Sequence, residues 1–480
     1  MTKALDFSKF LSEEAKRREP SPLKSAFKYF SDPNIVFLGG GLPLPDYFPF
    51  EKVVAYSPAP PFSNGIDAKP TDDSNTTVVD VLKNNAAAGD VSLAKSLQYG
   101  FTEGHTELLA FLKGHTELVH SIPYDDWGLI TTVGNTQSWD ATLRTFCNPG
   151  DHIIVEEYTF SSALETARSQ ALKFVGAPMD DDGIIPAKLD EILTNWDPAK
   201  GKKPVLLYTI PTGQNPTGSS IPTERRKELY KVAQKHDFLI VEDEPYYFLQ
   251  MDPYVAADGA DKEKPVAQTH EEFLKALVTS FISIDTDGRV IRLDSFSKVL
   301  APGVRLGWIV AQDNLLERYV RLHEVSIQTA SGFSQSLVQG LLNRWGQKGY
   351  LDWLIGLRHE YTEKRDFAIN SIVKNVPSSI SHYVPPVAGM FFTVFFDVTK
   401  HPKYVEFGKD PLKVENAIYE RALECGSLMI PGSWFKTPAE DAPPFGDHIF
   451  FRGTYAAVPL DQLELGIQRF GDAVKLEYGL

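Results

Sequence analysis

Four short apolar runs stand out in the middle of the chain. They read DHIIVEE, PVLLYTI, FLIVEDE and RVIRLDS, at residues 151–157, 204–210, 238–244 and 289–295. Short, largely apolar runs of this kind are typical of strands buried on both faces, as in a sheet covered by helices. The pattern therefore predicts four buried strands.

The stretch between the second and third runs predicts a helix. It reads PTERRKELYKVAQKHD (222–237), with Leu229, Val232 and Ala233 along one face and Thr223 in the position of an N-terminal cap. Strands that alternate with helices in this way are typical of a mostly parallel α/β sheet.

Other segments do not follow this alternation of strands and helices. Residues 56–94 are rich in Pro, Asn, Asp and Ser, and residues 252–288 contain the polar stretch ADGADKEK followed by an amphipathic, helix-like stretch. Both segments are predicted to be insertions that lie over the surface. Towards the end of the chain, GMFFTVFFDV and HIFFRGTYAAV read as strands among helices, which predicts a second, smaller domain.

Composition narrows the class of protein. The 480 residues are 42% hydrophobic and 23% charged, which is ordinary for a globular protein. The net charge of −15 disfavours binding to nucleic acid or to an anionic membrane, because both attractions depend on an excess of Lys and Arg. With two cysteines and no apolar run long enough to span a bilayer, we expect a cytoplasmic protein whose partners are small molecules.

The histidines and acidic turns do not predict a metal site. His105 and His115 lack an acidic or histidine partner at metal-binding spacing. The stretches DTDG (285–288) and DDDG (180–183) begin like calcium loops but do not continue as such, so both are interpreted as turns.

Polar residues follow the predicted strands, at the edge where open α/β sheets bind ligands. In TTVGNTQSWDATLRTF, a Gly-Asn-Thr turn joins a short strand to a helix, and the free N–H groups at such a helix start favour a phosphate. The residues that the other strands deliver to this edge are Asn215 after the second run, Glu242, Asp243, Glu244, Pro245, Tyr246 and Tyr247 after the third, and Ser295, Ser297 and Lys298 after the fourth.

One ligand meets the demands of all these groups. A phosphate cradle, a carboxylate, a phenol, an amide and an amine nucleophile together suit pyridoxal 5′-phosphate, because lysine condenses with its aldehyde and the ring acts as an electron sink. Lys298, in DSFSKVLAPGVRLGW (294–308), is the predicted Schiff-base lysine.

With these motifs, the sequence resembles the fold-type I pyridoxal-phosphate aminotransferases of class I and II, and among them the fungal aromatic amino acid and 2-aminoadipate aminotransferases. The resemblance extends from REPSPLK (18–24) and GGGLPLPDYFPF (39–50) to FFRGTYA (450–456). It implies an α/β fold in which a large domain with a mostly parallel central sheet carries a smaller α+β domain. The implied division is an N-terminal segment with part of the small domain at 1–55, a large cofactor-binding domain at 56–360, and a C-terminal small domain at 361–480.

The resemblance gives each matching residue a role toward the cofactor. Lys298 would bind the cofactor and move the proton, Asp243 would pair with the pyridinium nitrogen, and Tyr246 and Asn215 would hydrogen-bond the ring oxygen. A carboxylate beside that nitrogen raises its pKa and keeps it protonated. The residues implied to hold the phosphate are Ser295, Ser297, Arg305, Asn135 and Thr136.

Two aromatic positions are also implied by the resemblance. The family stacks a ring on the cofactor from a Glu-x-Pro-Thr-Tyr segment; here the segment reads EEYTF, so that spacing assigns Phe160 and Tyr158 is the rival. Tyr99, in LQYGFTEGH, matches a tyrosine that reaches the phosphate of the neighbouring subunit, which implies a homodimer with shared active sites.

On the substrate side, Arg452 in IFFRGTYA matches the arginine that receives the α-carboxylate, because its planar fork binds a carboxylate bidentately. By the same resemblance, Asn215 would lie beside the substrate, and Gly40 in GGGLP would let the backbone approach it. Lys24, in SPLK, takes the place of an arginine that contacts the substrate in kynurenine/2-aminoadipate relatives.

The implied activity is transamination in two half reactions. Aromatic amino acids would donate the amino group, with 2-aminoadipate, kynurenine and methionine as further candidates, and a 2-oxo acid such as 2-oxoglutarate would accept it. Two alternatives share the cofactor residues: another fold-type I enzyme, such as a β-lyase or an aminocyclopropane-carboxylate synthase relative, and a pyridoxal-phosphate-binding regulatory module. The module would carry an N-terminal DNA-binding domain, whereas here the resemblance begins by about residue 18.

Overall fold

The computed structural model describes the chain except residues 1, 23–28, 30, 31, 33, 37, 73, 257–267 and 440–445. Its α-helices are α1 (Glu13–Lys16), α2 (Leu93–Ser96), α3 (Thr106–His120), α4 (Asn135–Phe146), α5 (Ser161–Ser169), α6 (Pro186–Thr194), α7 (Thr223–His236), α8 (His270–Ala276), α9 (Asp313–His323), α10 (Gly332–Asn375), α11 (Pro411–Glu424) and α12 (Leu460–Tyr478). Its strands are β1 (Lys52–Pro58), β2 (Thr76–Leu82), β3 (Trp127–Thr132), β4 (His152–Glu156), β5 (Lys173–Ala177), β6 (Met179–Asp180), β7 (Gly183–Ile184), β8 (Leu206–Thr209), β9 (Leu239–Asp243), β10 (Val290–Ser295), β11 (Gly307–Gln312), β12 (Ser381–Tyr383), β13 (Phe391–Asp397), β14 (Ile430–Pro431) and β15 (His448–Thr454). Short 3₁₀ turns lie at Ser8–Phe10, Pro45–Tyr47, Pro198–Lys200, Ile282–Ile284, Pro302–Val304, Val398–Lys400 and Gly432–Phe435.

A seven-stranded sheet forms the centre of the molecule, in the order β3-β11-β10-β9-β8-β4-β5. Strands β10, β9, β8, β4 and β5 pair in parallel, and β11 runs antiparallel to both of its neighbours. The four apolar runs of the sequence are β4, β8, β9 and β10, and every residue of these strands is buried. The prediction of a mostly parallel α/β sheet with buried central strands is therefore confirmed.

Helix α7 follows the prediction in its apolar face but not in its cap. Leu229, Val232 and Ala233 are buried as expected. Pro222 occupies the N-cap position without a side-chain capping hydrogen bond, and Thr223 lies inside the first turn. Its hydroxyl oxygen accepts a hydrogen bond of 3.3 Å from the backbone N–H of Thr279, so the predicted cap is wrong because a neighbouring loop recruits the side chain.

The segment at 56–94 was expected over the surface, and the structure contradicts this for its apolar residues. Strands β1 and β2 form an antiparallel hairpin, and Val79 and Val81 of β2 are buried where it packs against α10. Phe62, between the two strands, packs edge-on against Trp345 and Trp353, with ring centroids 5.2 and 5.4 Å apart. The hairpin is part of the core.

The second expected insertion, 252–288, includes residues 257–267, which lie outside the described part of the chain. The helix-like stretch after them is α8, which begins with a capping box between Thr269 and Glu272 and buries Phe273. This end of the segment is therefore anchored by burial of an aromatic side chain.

A second sheet, in the order β12-β13-β15-β14, is antiparallel throughout. Strands β13 and β15 are the two late runs predicted from the sequence, and Phe392, Val394, Phe396 and Phe451 from them lie in a separate apolar cluster with α11 and α12. This cluster agrees with a smaller α+β unit, while the residue boundaries given to the domains stay a prediction.

Helix α10 joins the two apolar clusters. Its first part buries Leu342 and Leu354 in the cluster around the large sheet, and its last part buries Ala368 and Ile369 in the cluster around the small sheet. Gly346 interrupts the helix with φ of 62°. In the described part of the chain no helix, α10 included, combines the length and apolar character needed to cross a bilayer.

Candidate active site

A cavity of about 320 Å³ opens at the carboxyl ends of β8, β9 and β10, beside the first turn of α4. This is the edge at which the sequence placed a ligand. The predicted residues that line the cavity are Asn135, Thr136, Phe160, Asn215, Asp243, Tyr246, Ser295, Ser297, Lys298 and Arg305. Trp139, Tyr208 and Phe391 complete much of the apolar wall.

Lys298 reaches the cavity from the turn after β10. The side chain is half-buried, and this burial lowers the pKa of Lys298, with a further lowering from the positive charge of Arg305. A lowered pKa enlarges the fraction of neutral amine, which is the form that can attack a carbonyl carbon.

Asp243 lies at the end of β9 and is buried. Its Oδ1 accepts a hydrogen bond of 2.7 Å from the side-chain amide of Asn135, and its Oδ2 accepts one of 2.6 Å from the hydroxyl of Tyr208. Burial raises the pKa of Asp243 to about 6, although both hydrogen bonds act to lower it. A buried carboxylate of this kind is suited to pair with a cation in the cavity.

Tyr208 is the contact that sequence reasoning missed. The apolar pattern of PVLLYTI predicts a buried strand and assigns Tyr208 no polar role. A phenol inside a run of aliphatic residues is nevertheless a signal of a buried hydroxyl that needs a hydrogen-bond partner. Its ring lies 4.5 Å from that of Trp139, which the sequence also did not single out.

Arg305 and Gly134 meet at the end of the cavity beside the start of α4. The guanidinium donates 2.7 and 3.0 Å hydrogen bonds to the carbonyl oxygens of Val133 and Pro302 and a long 3.5 Å bond to the hydroxyl of Ser297. Gly134 has φ of 103°, and a Cβ atom there would lie 2.4 Å from Nη2 of Arg305. The backbone conformation therefore favours glycine, and a larger residue would have to displace the Arg305 guanidinium.

The first turn of α4 faces the same end. The helix begins at Asn135, and its first helical hydrogen bond runs from the Ser138 N–H to the Gly134 carbonyl, so the amides of Asn135 and Thr136 precede it. Amides in this position favour an anion. The side chain of Asn135 turns away from this role and donates to Asp243 and to the Leu293 carbonyl oxygen.

Arg452 lies on β15 opposite Thr393, in the small sheet. Its Nη1 donates a 2.7 Å hydrogen bond to Oδ1 of Asn215, and its guanidinium carbon lies 4.4 and 4.7 Å from the ring centroids of Phe391 and Phe435. Burial lowers the pKa of Arg452, and its Nε has no hydrogen-bond partner among the described residues. A partly desolvated guanidinium with an open donor suits a carboxylate.

Phe160 and Tyr158, the two candidates for the stacking ring, lie in different surroundings. Phe160 lines the cavity at the start of α5. Tyr158 does not, and instead packs edge-on against Phe450, with centroids 5.1 Å apart, while the ammonium of Lys436 lies 5.0 Å from the centre of its ring. The geometry favours Phe160 as the ring beside a bound cofactor.

Among the described residues that the sequence predicted, Tyr99 and Gly40 do not line this cavity, and Arg452 reaches it through its bond to Asn215. Tyr99 is 59% exposed and borders a different surface hollow, with Pro43 and Phe333. Gly40 is exposed and does not line the cavity. Lys24 lies outside the described residues.

The donor set fits pyridoxal phosphate. A nucleophilic amine, a buried carboxylate, a phenol and an amide surround the same space, with hydroxyls, an arginine and a helix start at one end. Two buried polar atoms in or beside it, Oδ1 of Asn135 and Nε of Arg452, have no partner among the described residues, as expected where a polar ligand completes the site.

Comparison with known proteins agrees with a pyridoxal-phosphate site. Residues 67–470 match the family model "Aminotransferase class I and II". The chain is 43% identical to an aromatic amino acid aminotransferase of Schizosaccharomyces pombe, over 98% of each chain, and 34% identical to an L-tyrosine:2-oxoglutarate aminotransferase of Serpula lacrymans, over 93% of this chain and 86% of that one. The crystal structure of aminotransferase Aro8 from Candida albicans superposes with a TM-score of 0.95 at 59% identity, covering 100% of both chains. The chain therefore belongs to the class I and II aminotransferases and is a pyridoxal-phosphate-dependent transaminase.

Proposed function

We propose that the enzyme transfers the amino group of aromatic amino acids to a 2-oxo acid such as 2-oxoglutarate. The observation that carries the proposal is the position of Arg452, whose guanidinium contacts Asn215 at the wall of the cavity that contains Lys298 and Asp243. The names of the similar proteins support aromatic donors, and they favour transamination over the lyase alternative. 2-Aminoadipate, kynurenine and methionine are further candidate donors.

The proposed roles follow the chemistry of the residues. When bound, pyridoxal phosphate supplies an electron sink for the negative charge that develops at the substrate Cα. Lys298 holds the cofactor, and its Nζ accepts the proton from the substrate Cα. The Asp243 carboxylate would pair with the pyridine nitrogen, and Tyr246 and Asn215 would donate to the ring oxygen.

Other residues of the cavity are assigned to the ring face and to the phosphate group of the cofactor. Phe160 would pack on the face of the cofactor ring. Ser295, Ser297 and Arg305 hold the phosphate, together with the amides of Asn135 and Thr136 in the first turn of α4. The network that fixes Arg305 supports this assignment, because two backbone carbonyl oxygens hold its guanidinium in place at this end of the cavity.

Arg452 and the N-terminal segment are assigned to the substrate. Arg452 binds the α-carboxylate and so orients the Cα–H bond toward Nζ of Lys298. Asn215, Gly40 and Lys24 are the other residues proposed to contact the amino acid.

A cytoplasmic homodimer with shared sites is part of the proposal. Tyr99 is exposed in its own chain, and we propose that it reaches the phosphate in the partner subunit. Other aromatic side chains are also exposed in the single chain, at 80% for Tyr47, 69% for Tyr56 and 57% for Phe101, and they support a subunit contact.

The first test is a visible spectrum of the purified protein before and after phenylalanine and then 2-oxoglutarate, with phenylpyruvate and glutamate measured afterwards. We expect the cofactor band to disappear with phenylalanine and return with 2-oxoglutarate, with both products formed. Lys298→Ala should abolish the band and turnover, whereas Lys374→Ala, on the exposed surface, should change neither. Release of ammonia without consumption of the oxo acid would favour a lyase instead.

A further inference from the structure

Both oxygens of the Asp243 carboxylate accept hydrogen bonds from side chains of other secondary-structure elements. Asn135, the first residue of α4, donates to Oδ1 at 2.7 Å, and Tyr208, in β8, donates to Oδ2 at 2.6 Å. Asn135 is itself fixed by a second donation of 3.0 Å to the carbonyl oxygen of Leu293 in β10. The carboxylate plane cannot rotate without breaking one of these bonds.

We propose that Tyr208 and Asn135 are positioning residues for transamination, which orient the Asp243 carboxylate and keep it ionised toward the pyridine nitrogen of the cofactor. This inference rests on the role proposed above for Asp243. It gives the side chain of Asn135 a function different from phosphate binding, and it gives Tyr208 a function that the sequence did not indicate.

Ionisation of Asp243 needs this help because its surroundings oppose it. The residue is buried, and the negative charge of Asp294 in β10 acts in the same direction as burial. Arg292 donates hydrogen bonds of 2.6 and 2.9 Å to Asp294, so its charge is paired with that carboxylate and not with Asp243. The side chains of Asn135 and Tyr208 are neutral donors that favour the ionised form of Asp243. Their effect is substantial because hydrogen bonds to a carboxylate are stronger than those between neutral groups.

Tyr208 is suited to act as a permanent donor. The side chain is fully buried against Trp139, and burial together with the neighbouring carboxylate raises the pKa of Tyr208 well above its usual value. The phenol of Tyr208 therefore keeps its proton at neutral pH. Removing the hydroxyl while keeping the ring would preserve the packing and delete only the donor.

The chain contains a matched control. Tyr230 is also a buried tyrosine whose hydroxyl donates to a buried carboxylate, at 2.9 Å to Oδ1 of Asp285. Asp285 also accepts from backbone amides of its own turn, and neither residue lines the cavity. Tyr230→Phe therefore deletes a comparable bond away from the cofactor.

The experiment compares Tyr208→Phe with Tyr230→Phe in cofactor affinity, the pH titration of the cofactor band, and the kinetics with phenylalanine. For Tyr208→Phe we expect kcat to fall by roughly 10- to 100-fold with KM changed less than about threefold, and the titration midpoint of the band to move by about one pH unit. Tyr230→Phe should leave the titration and kcat close to those of the wild type. Equal behaviour of the two variants would overturn the inference.

A double-mutant cycle separates positioning from simple packing. If Tyr208 acts through the charge of Asp243, Tyr208→Phe should cause little further loss of kcat in an Asp243→Asn background. Full multiplication of the two losses would overturn the inference. If Tyr208→Phe fails to fold, Asn135→Ala removes the other donor and enters the same cycle. A wild-type protein without a cofactor band or transamination would instead refute the proposed function, so the two failures are distinguishable.

Discussion

Nη1 of Arg452 donates a 2.7 Å hydrogen bond to Oδ1 of Asn215, and this bond joins the small sheet to the loop that follows β8. One residue of the pair is assigned to the substrate carboxylate and the other to the cofactor ring oxygen. With these proposed roles, the hydrogen bond would couple the orientation of the substrate to the position of the cofactor.

We expect Arg452→Lys to raise the KM for phenylalanine by roughly 10-fold or more, because an ammonium cannot reproduce the bidentate fork or the stacking between Phe391 and Phe435. Steady-state kinetics with phenylalanine measure this. The matched control is Arg421→Lys, an exposed arginine that pairs with Glu477, for which the KM should stay constant. An unchanged KM in Arg452→Lys would remove Arg452 from the substrate site.

Gly134→Ala should weaken cofactor binding, because the new Cβ would displace the guanidinium of Arg305 and strain the backbone at φ of 103°. We expect a loss of roughly 1–3 kcal/mol in stability and a lower affinity for pyridoxal phosphate, measured by melting and by cofactor titration. Gly201→Ala is the control, since its φ is 113° but the space around it is open. If the two variants bind the cofactor equally, Arg305 does not depend on Gly134.

The raised pKa of Asp243 predicts how the cofactor-free protein responds to pH. With a pKa of about 6 in the folded state and about 4 when unfolded, the folded state binds the proton more tightly, so this group adds stability as the pH falls from 6 toward 4. Above pH 6 the buried charge destabilises the fold, by at most about 3 kcal/mol.

Asp243→Asn should therefore raise the melting temperature of the cofactor-free protein at pH 7.5, and the gain over wild type should shrink toward pH 5. Thermal melts at a series of pH values measure the difference. A gain that is independent of pH would mean that Asp243 is not the group that titrates.

Mixing Tyr99→Ala with Lys298→Ala subunits should restore activity, if Tyr99 serves the site of the neighbouring subunit. In a random mixture half of the dimers are mixed, and each has one site with both residues intact, so about a quarter of wild-type activity is expected. Activity is assayed after subunit exchange has been demonstrated. No recovery under those conditions would place Tyr99 outside the shared site.

The sequence predicted the sheet and most of the cavity because both depend on local patterns. An apolar run that ends in polar residues marks a strand and the edge where a parallel sheet binds ligands, and Asp243, Asn215 and Lys298 each follow such a run. Their convergence follows from the parallel order of β8, β9 and β10.

The features that the sequence did not predict depend on contacts between distant residues. Val79 and Val81 are buried by α10, more than 250 residues away, and no local pattern distinguishes them from residues of a surface hairpin. Thr223 loses its capping role to a bond from Thr279, and the side chain of Asn135 turns toward Asp243. Tertiary partners decide each of these outcomes.

Helix α10 supplies apolar side chains to the cores around both sheets. If either core melted, the helix would lose half of its packing, and the other core would lose one of its walls. The two cores should therefore behave as one cooperative unfolding unit, with a single calorimetric transition and hydrogen-exchange protection that is lost together along both halves of the helix.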